Sequence, residues 1–249
     1  MTHIDFNYYS PTKPDVPNLV FIHGAGGDKT QWGKQKSFFQ QHGWGIISLS
    51  LPSHGQSSPS KSLIMDDYVE TVHEIIINQK LENVNLIGHS MGGAIALQFV
   101  LQYPRSIIDR LILIGTGAKL KVAPAFFDAI EADFDRFLEL LGRLAFHKRT
   151  IAQIKLNNET VLRKNGGRIF LQDFIICDHF DVRSELHKVV NKTLIIVGQD
   201  DQMTPLKYST FLHKNIKNSQ LTIIPEAGHY VFQEKPLAVN NEIYKFITE

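Results

Sequence analysis

Five residues, Gly88-His89-Ser90-Met91-Gly92, offer the plainest chemistry in the chain. They follow a short apolar run, Val84-Asn85-Leu86-Ile87, and precede an apolar, helix-favouring stretch, residues 94–100. A serine between a buried strand and a helix, with glycines two before and two after it, has the form of a nucleophile elbow. The turn forces the serine backbone into a strained conformation, and the glycines leave room where strand and helix pack closely. The Ser90 hydroxyl is thereby lifted above the sheet, with the Met91 N–H pointing at whatever it attacks. A Gly-Ser turn can be mere punctuation; the strand before it and the helix after it make Ser90 the candidate nucleophile.

A hydroxyl attacks poorly at neutral pH unless a base takes its proton. Three other apolar strands run straight into loops with suitable groups. Leu19-Val20-Phe21-Ile22 ends at His23-Gly24-Ala25-Gly26-Gly27, whose backbone can approach a ligand closely because glycine carries no side chain. Thr193-Leu194-Ile195-Ile196-Val197 ends at a loop with two adjacent carboxylates, Asp200 and Asp201, and Leu221-Thr222-Ile223-Ile224 ends before Gly228-His229. The glycine loop lacks the G-x-x-x-x-G-K-[ST] pattern of a phosphate cradle. His54, in the turn-rich loop Pro52-Ser53-His54-Gly55-Gln56-Ser57, is expected to make local hydrogen bonds rather than to act directly.

The elements that must position these groups alternate. Residues 4–8 read as an edge strand, and residues 10–18, with three prolines, as a loop. After the first buried strand come a helix over 32–42, a strand at 45–49, a helix over 65–79 with apolar residues at Tyr68, Val69, Val72, Ile75 and Ile76, the elbow strand and its helix, and a strand at 111–114. Strand-helix alternation of this kind marks an α/β chain with a parallel sheet covered on both faces. In such a sheet, sites form where strands end, so Gly24-Ala25, Ser90, Asp200/Asp201 and His229 can converge. The alternation then stops for about seventy residues. Phe127, Ile130, Phe134, Phe137, Leu141 and Leu144 recur at helical spacing within 124–146, as one long helix or two shorter ones, and 151–162 and 169–180 continue as helix. A phenylalanine stripe is mostly core; part of it, Phe127 and Phe134 foremost, is expected to roof a pocket for an apolar substrate portion, with Gly24 and His89 also lining it.

With 249 residues and 43% hydrophobic content, the chain is long enough for one large domain or a domain with an insertion. Its 26 basic and 25 acidic residues leave a formal charge of +1, with no basic stripe for nucleic acid. The apolar runs are too short for a bilayer, which takes about 20 residues. The eleven histidines show no metal-ligand spacing, and the single cysteine, Cys177, is expected to be structural. With no charged-then-apolar leader in residues 1–9, a cytoplasmic location is expected.

The order Ser, Asp, His with His23-Gly24 upstream resembles the alpha/beta-hydrolase family across nearly the whole chain. Gly198-x-x-Asp201-x-x-x-Pro205 resembles the family's acid loop, and Gly228-His229 followed by Glu234-Lys235-Pro236 its histidine loop. The resemblance implies a mostly parallel sheet of about seven or eight strands, with a core of residues 1–118 and 191–249 and a helical cap over 119–190. It picks Asp201 over Asp200 to orient His229, makes His229 the general base and acid for Ser90, and gives the backbone N–H groups of Ala25 and Met91 to the oxyanion hole. It implies no metal and no organic cofactor. The chain departs from the family at Ser50-Leu51-Pro52-Ser53-His54-Gly55-Gln56-Ser57, which lacks the usual first Asp and Gly, and at Lys192, where proline is common. Serine at the elbow argues against epoxide hydrolases and haloalkane dehalogenases, which resemble this family but use aspartate there. Serine carboxylester hydrolysis by a monomer or homodimer is the resulting expectation, with carbon–carbon hydrolase, thioesterase and perhydrolase as alternatives on the same residues. A ligand receptor of the same fold is the alternative outside catalysis.

Overall fold

Apolar runs without alternation belong to strands covered on both faces, and every residue of β2 (Asn18–Ile22), β3 (Gly45–Leu49) and β4 (Val84–His89) is buried. In the computed structural model, which describes residues 3–12, 15–60, 62 and 64–249, these join β1 (Phe6–Tyr9), β5 (Arg110–Ile114), β6 (Lys192–Gly198) and β7 (Ser219–Ile224). The seven strands form one sheet in the order β1-β3-β2-β4-β5-β6-β7. Only the edge strand β1 runs antiparallel, against β3. Of the expected 10–18 loop, residues 13 and 14 lie outside the described residues.

The chain builds outward from β2 to β3, then crosses back to place β4 on the other side of β2. That reversal is a topological switch, and the loops leaving β2 and β4 part there to open a crevice. The register keeps the strand ends level: Ile22 pairs with Gly88, His89 with Ile114, Ile114 with Ile196 and Gly198 with Ile224.

Helices α1 (Gly33–Gln41), α2 (Met65–Asn78) and α3 (Met91–Gln102) cover the sheet among the first strands. The expected apolar stripe of α2 is buried, from Tyr68 through Ile76. Between β5 and β6 the chain makes four α-helices, α4 (Pro124–Ala132), α5 (Phe134–Leu144), α6 (Ala152–Asn165) and α7 (Gly167–His179), and a short 3-10 helix at Leu186–Lys188. Residues 124–146 are therefore two helices. The break is Asp133, which is extended (φ −160°) and accepts a hydrogen bond from the Arg136 N–H, 3.0 Å, as the N-cap of α5. An isolated antiparallel bridge between Lys119 and Asp181 closes the base of this excursion. Helix α8 (Leu206–Asn215) joins β6 to β7, and α9 (Val231–Glu234) and α10 (Pro236–Thr248) end the chain.

The loop that departs from the family pattern is held by a distant carboxylate. Asp5 accepts from the Gln56 N–H at 3.2 Å and pairs with the Lys29 ammonium, while Ser50 donates its backbone N–H to the Asp5 carbonyl at 2.8 Å. The N-terminal segment thereby anchors residues 50–57.

Candidate active site

Ser90 sits between β4 and α3 at φ 53°, ψ −117°, a conformation that costs a non-glycine residue about 1–3 kcal/mol. Its surroundings over-determine it. The Ser90 N–H donates to the Ile114 carbonyl at 2.9 Å, and the Ser90 carbonyl accepts from the Gly93 N–H at 2.9 Å and the Thr116 hydroxyl at 2.8 Å. Both elbow glycines are steric necessities: a Cβ on Gly88 would lie 2.1 Å from the Gly92 carbonyl oxygen, and one on Gly92 would lie 2.3 Å from that of Ile22. Met91 opens α3, so its N–H has no partner one turn back.

Two loops along the sheet, Asp201 lies on His229. Its Oδ1 accepts the backbone N–H groups of Met203 (2.9 Å) and Thr204 (2.8 Å). Its Oδ2 accepts the Thr204 hydroxyl and the His229 Nδ1–H, both at 2.9 Å. Asp200 is exposed, and its carboxylate is 4.0 Å from His147 Nε2. With Nδ1–H given to Asp201, His229 carries its lone pair on Nε2. The His229 backbone is also fixed: its N–H donates to the Ala145 carbonyl at 2.8 Å and its carbonyl accepts from His89 Nε2 at 3.0 Å. Burial and the neighbouring His229 hold His89 well below the ordinary histidine range, so it is neutral and donates through Nε2.

Gly24, Ala25, His89, Ser90 and His229 line one cavity of about 80 Å³. Among the described residues no hydrogen bond joins the Ser90 hydroxyl to His229; such contacts are often long before substrate binds. The walls are mostly apolar, with Leu120, Val122, Phe126, Leu141, Phe170 and Phe174, and Lys121, Thr204 and Tyr208 bring polar groups to them. Phe127 and Phe134, expected to line the cavity, do not. Phe127 is the neighbour of Phe126 and so turns about 100° away on the same helix, its ring edge-on to Phe174 at 6.5 Å. Phe134 stacks on Phe137 at 6.0 Å and packs against Gly167. Cys177 also borders the cavity, but burial pushes its thiol well above the usual range and keeps it inert.

A second polar cluster lies beneath the glycine loop. His54, fully buried, donates Nδ1–H to the Pro52 carbonyl (3.0 Å) and Nε2–H to Asp173 (2.8 Å). Burial pulls its pKa down, but the Asp173 carboxylate outweighs that and raises it, and two donating nitrogens require an imidazolium. His23 is the opposite case. Burial and the nearby His54 depress it to about 4, and it stays neutral, donating Nδ1–H to the Gly24 carbonyl at 2.8 Å and accepting the Leu51 N–H on Nε2 at 3.0 Å.

Sequence reasoning missed Thr204 and Asp173. Thr204 bridges Asp201 and His229, its hydroxyl 3.2 Å from His229 Nδ1; nothing in its type announces that. Asp173 had a signal: it falls three residues after Phe170 and four before Cys177, on the buried face of α7. Among the described residues no group of His, Cys, Asp or Glu side chains is placed to hold a metal ion, and no helix is long and apolar enough to cross a membrane.

The model of the alpha/beta hydrolase family matches residues 19–242. The AB hydrolase superfamily protein YisY of Bacillus subtilis (strain 168) is 26% identical over 247 residues, covering 92% of this chain and 90% of its own. An esterase from Exiguobacterium antarcticum superposes with a TM-score of 0.93 at 23% identity, over 100% of this chain and 96% of that one. A thermophilic esterase superposes with a TM-score of 0.86 at 29% identity, over 99% and 98% of the two chains.

Proposed function

The chain belongs to the alpha/beta hydrolase family, and from that premise we propose that it is a serine hydrolase cleaving small carboxylic esters through an acyl-enzyme on Ser90. The observation that carries this reading is the 2.9 Å bond from His229 Nδ1 to Asp201, made at the cavity into which the strained Ser90 elbow opens. As Ser90 Oγ attacks the ester carbonyl, His229 Nε2 takes its proton, and Asp201 stabilises the imidazolium that forms. The Ala25 and Met91 N–H groups donate to the oxyanion of the tetrahedral intermediate; one such donor is worth about 2.7–4 kcal/mol. The intermediate collapses, the C–O bond to the alcohol breaks, and His229 returns the proton to the leaving oxygen. Water then attacks the acyl-enzyme with His229 again as base, releasing the acid and restoring Ser90. These side chains suffice without metal or organic cofactor.

In this reading residues 119–190 are a cap over a core of 1–118 and 191–249, and the apolar walls from α4, α5 and α7 hold a short acyl group. The lone, buried cysteine fits a cytoplasmic protein. The test is steady-state turnover of p-nitrophenyl esters of rising acyl length, with Ser90→Ala alongside. The expected result is an optimum at short chains and a loss of about a millionfold in the variant; retained turnover in Ser90→Ala sinks the assignment.

A further inference from the structure

The Asp173 carboxylate takes no part in these proton transfers, yet it is completely buried and each oxygen is engaged. Oδ2 accepts the Gly26 N–H at 2.7 Å as well as His54 Nε2–H, and Oδ1 accepts the Tyr68 hydroxyl at 2.8 Å. Asn165, the last residue of α6, reaches the same loop. Its Nδ2 donates to the carbonyls of Gly26 (2.8 Å) and Gly27 (2.7 Å), and its Oδ1 accepts the Gly55 N–H at 2.9 Å. The Phe170 ring closes over Gly26, where a Cβ would come within 2.2 Å of it.

Peptide units are rigid planes, and three consecutive ones are pinned here. The plane carrying the Ala25 N–H is held at its other end, where the Gly24 carbonyl accepts from His23 Nδ1 and from the Gly27 N–H at 3.0 Å. The next plane is held by Asp173 on the Gly26 N–H. The third is held by Asn165 on the Gly26 carbonyl, and its own N–H is the one that returns to Gly24. Release of the second and third planes withdraws the Gly27 N–H, which belongs to the third, and leaves His23 as the one remaining hold on the Gly24 carbonyl, so the first plane is freer to rotate.

We propose that Asp173 and Asn165, on the helices inserted between β5 and β6, are positioning residues that aim the Ala25 N–H at the developing oxyanion. The inference rests on the ester-hydrolase reading for the role of Ala25. The inserted helices thereby complete the catalytic geometry as well as roofing the cavity.

Three variants test it. Asp173→Leu removes both acceptors at similar size and is expected to lower kcat about 100-fold with KM changed less than about threefold. Asp173→Asn keeps an oxygen for the Gly26 N–H and is expected to recover at least about tenfold of that loss. Asn165→Ala, at a half-buried position, is expected to cost about tenfold in kcat. Amide hydrogen exchange of residues 24–27 is measured on the same proteins and is expected to quicken at least about tenfold in Asp173→Leu. Should Asp173→Leu misfold, the kcat and exchange of Asn165→Ala decide. Lower melting temperatures with unchanged kcat and unchanged exchange at 24–27 overturn the proposal. If the wild type shows no Ser90-dependent ester turnover, the hydrolase reading falls on its own; faster exchange at Gly26 then still supports the clamp, and unchanged exchange removes it.

Discussion

Replacing Asp201 by asparagine tests the proton path with almost no change of shape, and the structure dictates how the new amide must lie. The backbone N–H groups of Met203 and Thr204 both point at Oδ1, so the amide oxygen has to occupy that site. The NH2 group then falls where Oδ2 stood, facing His229 Nδ1 and the Thr204 hydroxyl. An NH2 donor facing Nδ1 forces the imidazole to carry its proton on Nε2, where it cannot accept one from Ser90. Two effects combine, the wrong tautomer and the lost negative charge, and together they are expected to lower kcat about 10⁴-fold. At about 1.36 kcal/mol per decade that is roughly 5.4 kcal/mol of transition-state stabilisation. The assay is p-nitrophenyl acetate turnover at neutral pH, with nitrogen-15 NMR of His229 reporting which ring nitrogen carries the proton. Asp200→Asn is the control: that side chain is exposed, with its carboxylate 4.0 Å from His147 Nε2, so its turnover is expected to stay within about threefold of wild type. A folded Asp201→Asn protein losing less than tenfold, or one whose His229 keeps its proton on Nδ1, refutes the reasoning.

Gly92→Ala places a methyl 2.3–2.5 Å from the backbone oxygens of Ile22 and His23, neither of which can yield without moving β2. Urea unfolding is expected to show a loss of at least about 1–3 kcal/mol, whereas Gly142→Ala, in α5 with nothing within 4 Å, is expected to gain up to about 1 kcal/mol; equal effects would show that the elbow is not tightly packed. The His54 imidazolium is faced by Asp173, Tyr68, neutral His23 and, farther off, Asp28. Because its folded pKa is raised, its stabilising contribution is full below the unfolded value of about 6.5 and is lost as pH rises through the folded one. The stability excess of wild type over His54→Gln is therefore expected to shrink above neutral pH in urea titrations, and an excess that grows with pH contradicts the assigned charge.

What the sequence makes legible here is local. Buried strands are continuous apolar runs, so β2, β4 and β6 can be found from Leu19-Ile22, Val84-Ile87 and Leu194-Val197 alone; Leu221-Ile224 marks β7 as well, although that strand lies at the sheet edge and only Ile224 is buried. Level strand ends bring the loops after these four strands together. The choice among neighbours is harder. Phe126 and Phe127 have the same chemistry one residue apart, and only the packing of α4 on α7 decides which faces the cavity. Asp133 carries an N-cap signal that a stripe of apolar residues conceals. The pairing of His54 with Asp173 spans 119 residues, and no periodicity encodes a contact of that range. Asp5 is similarly opaque, since its partners Gln56 and Lys29 lie 51 and 24 residues away.

The segment after α5 shows how deeply the inserted chain is woven into the rest. The Ala145 carbonyl receives the His229 N–H, and the Glu234 carboxylate grips the Gly228 N–H at 2.8 Å, the His147 N–H at 2.9 Å and the Thr150 hydroxyl. The histidine loop is thus stitched to the insertion on one side of the cavity as the glycine loop is on the other. Such an insertion is not an interchangeable module. Transplanting the helices of another family member onto this scaffold would remove the seam at both loops unless residues equivalent to Ala145, Asn165 and Asp173 came with them. New specificity is more accessible through point changes at wall positions such as Phe126, Leu120 and Val122, which touch neither seam.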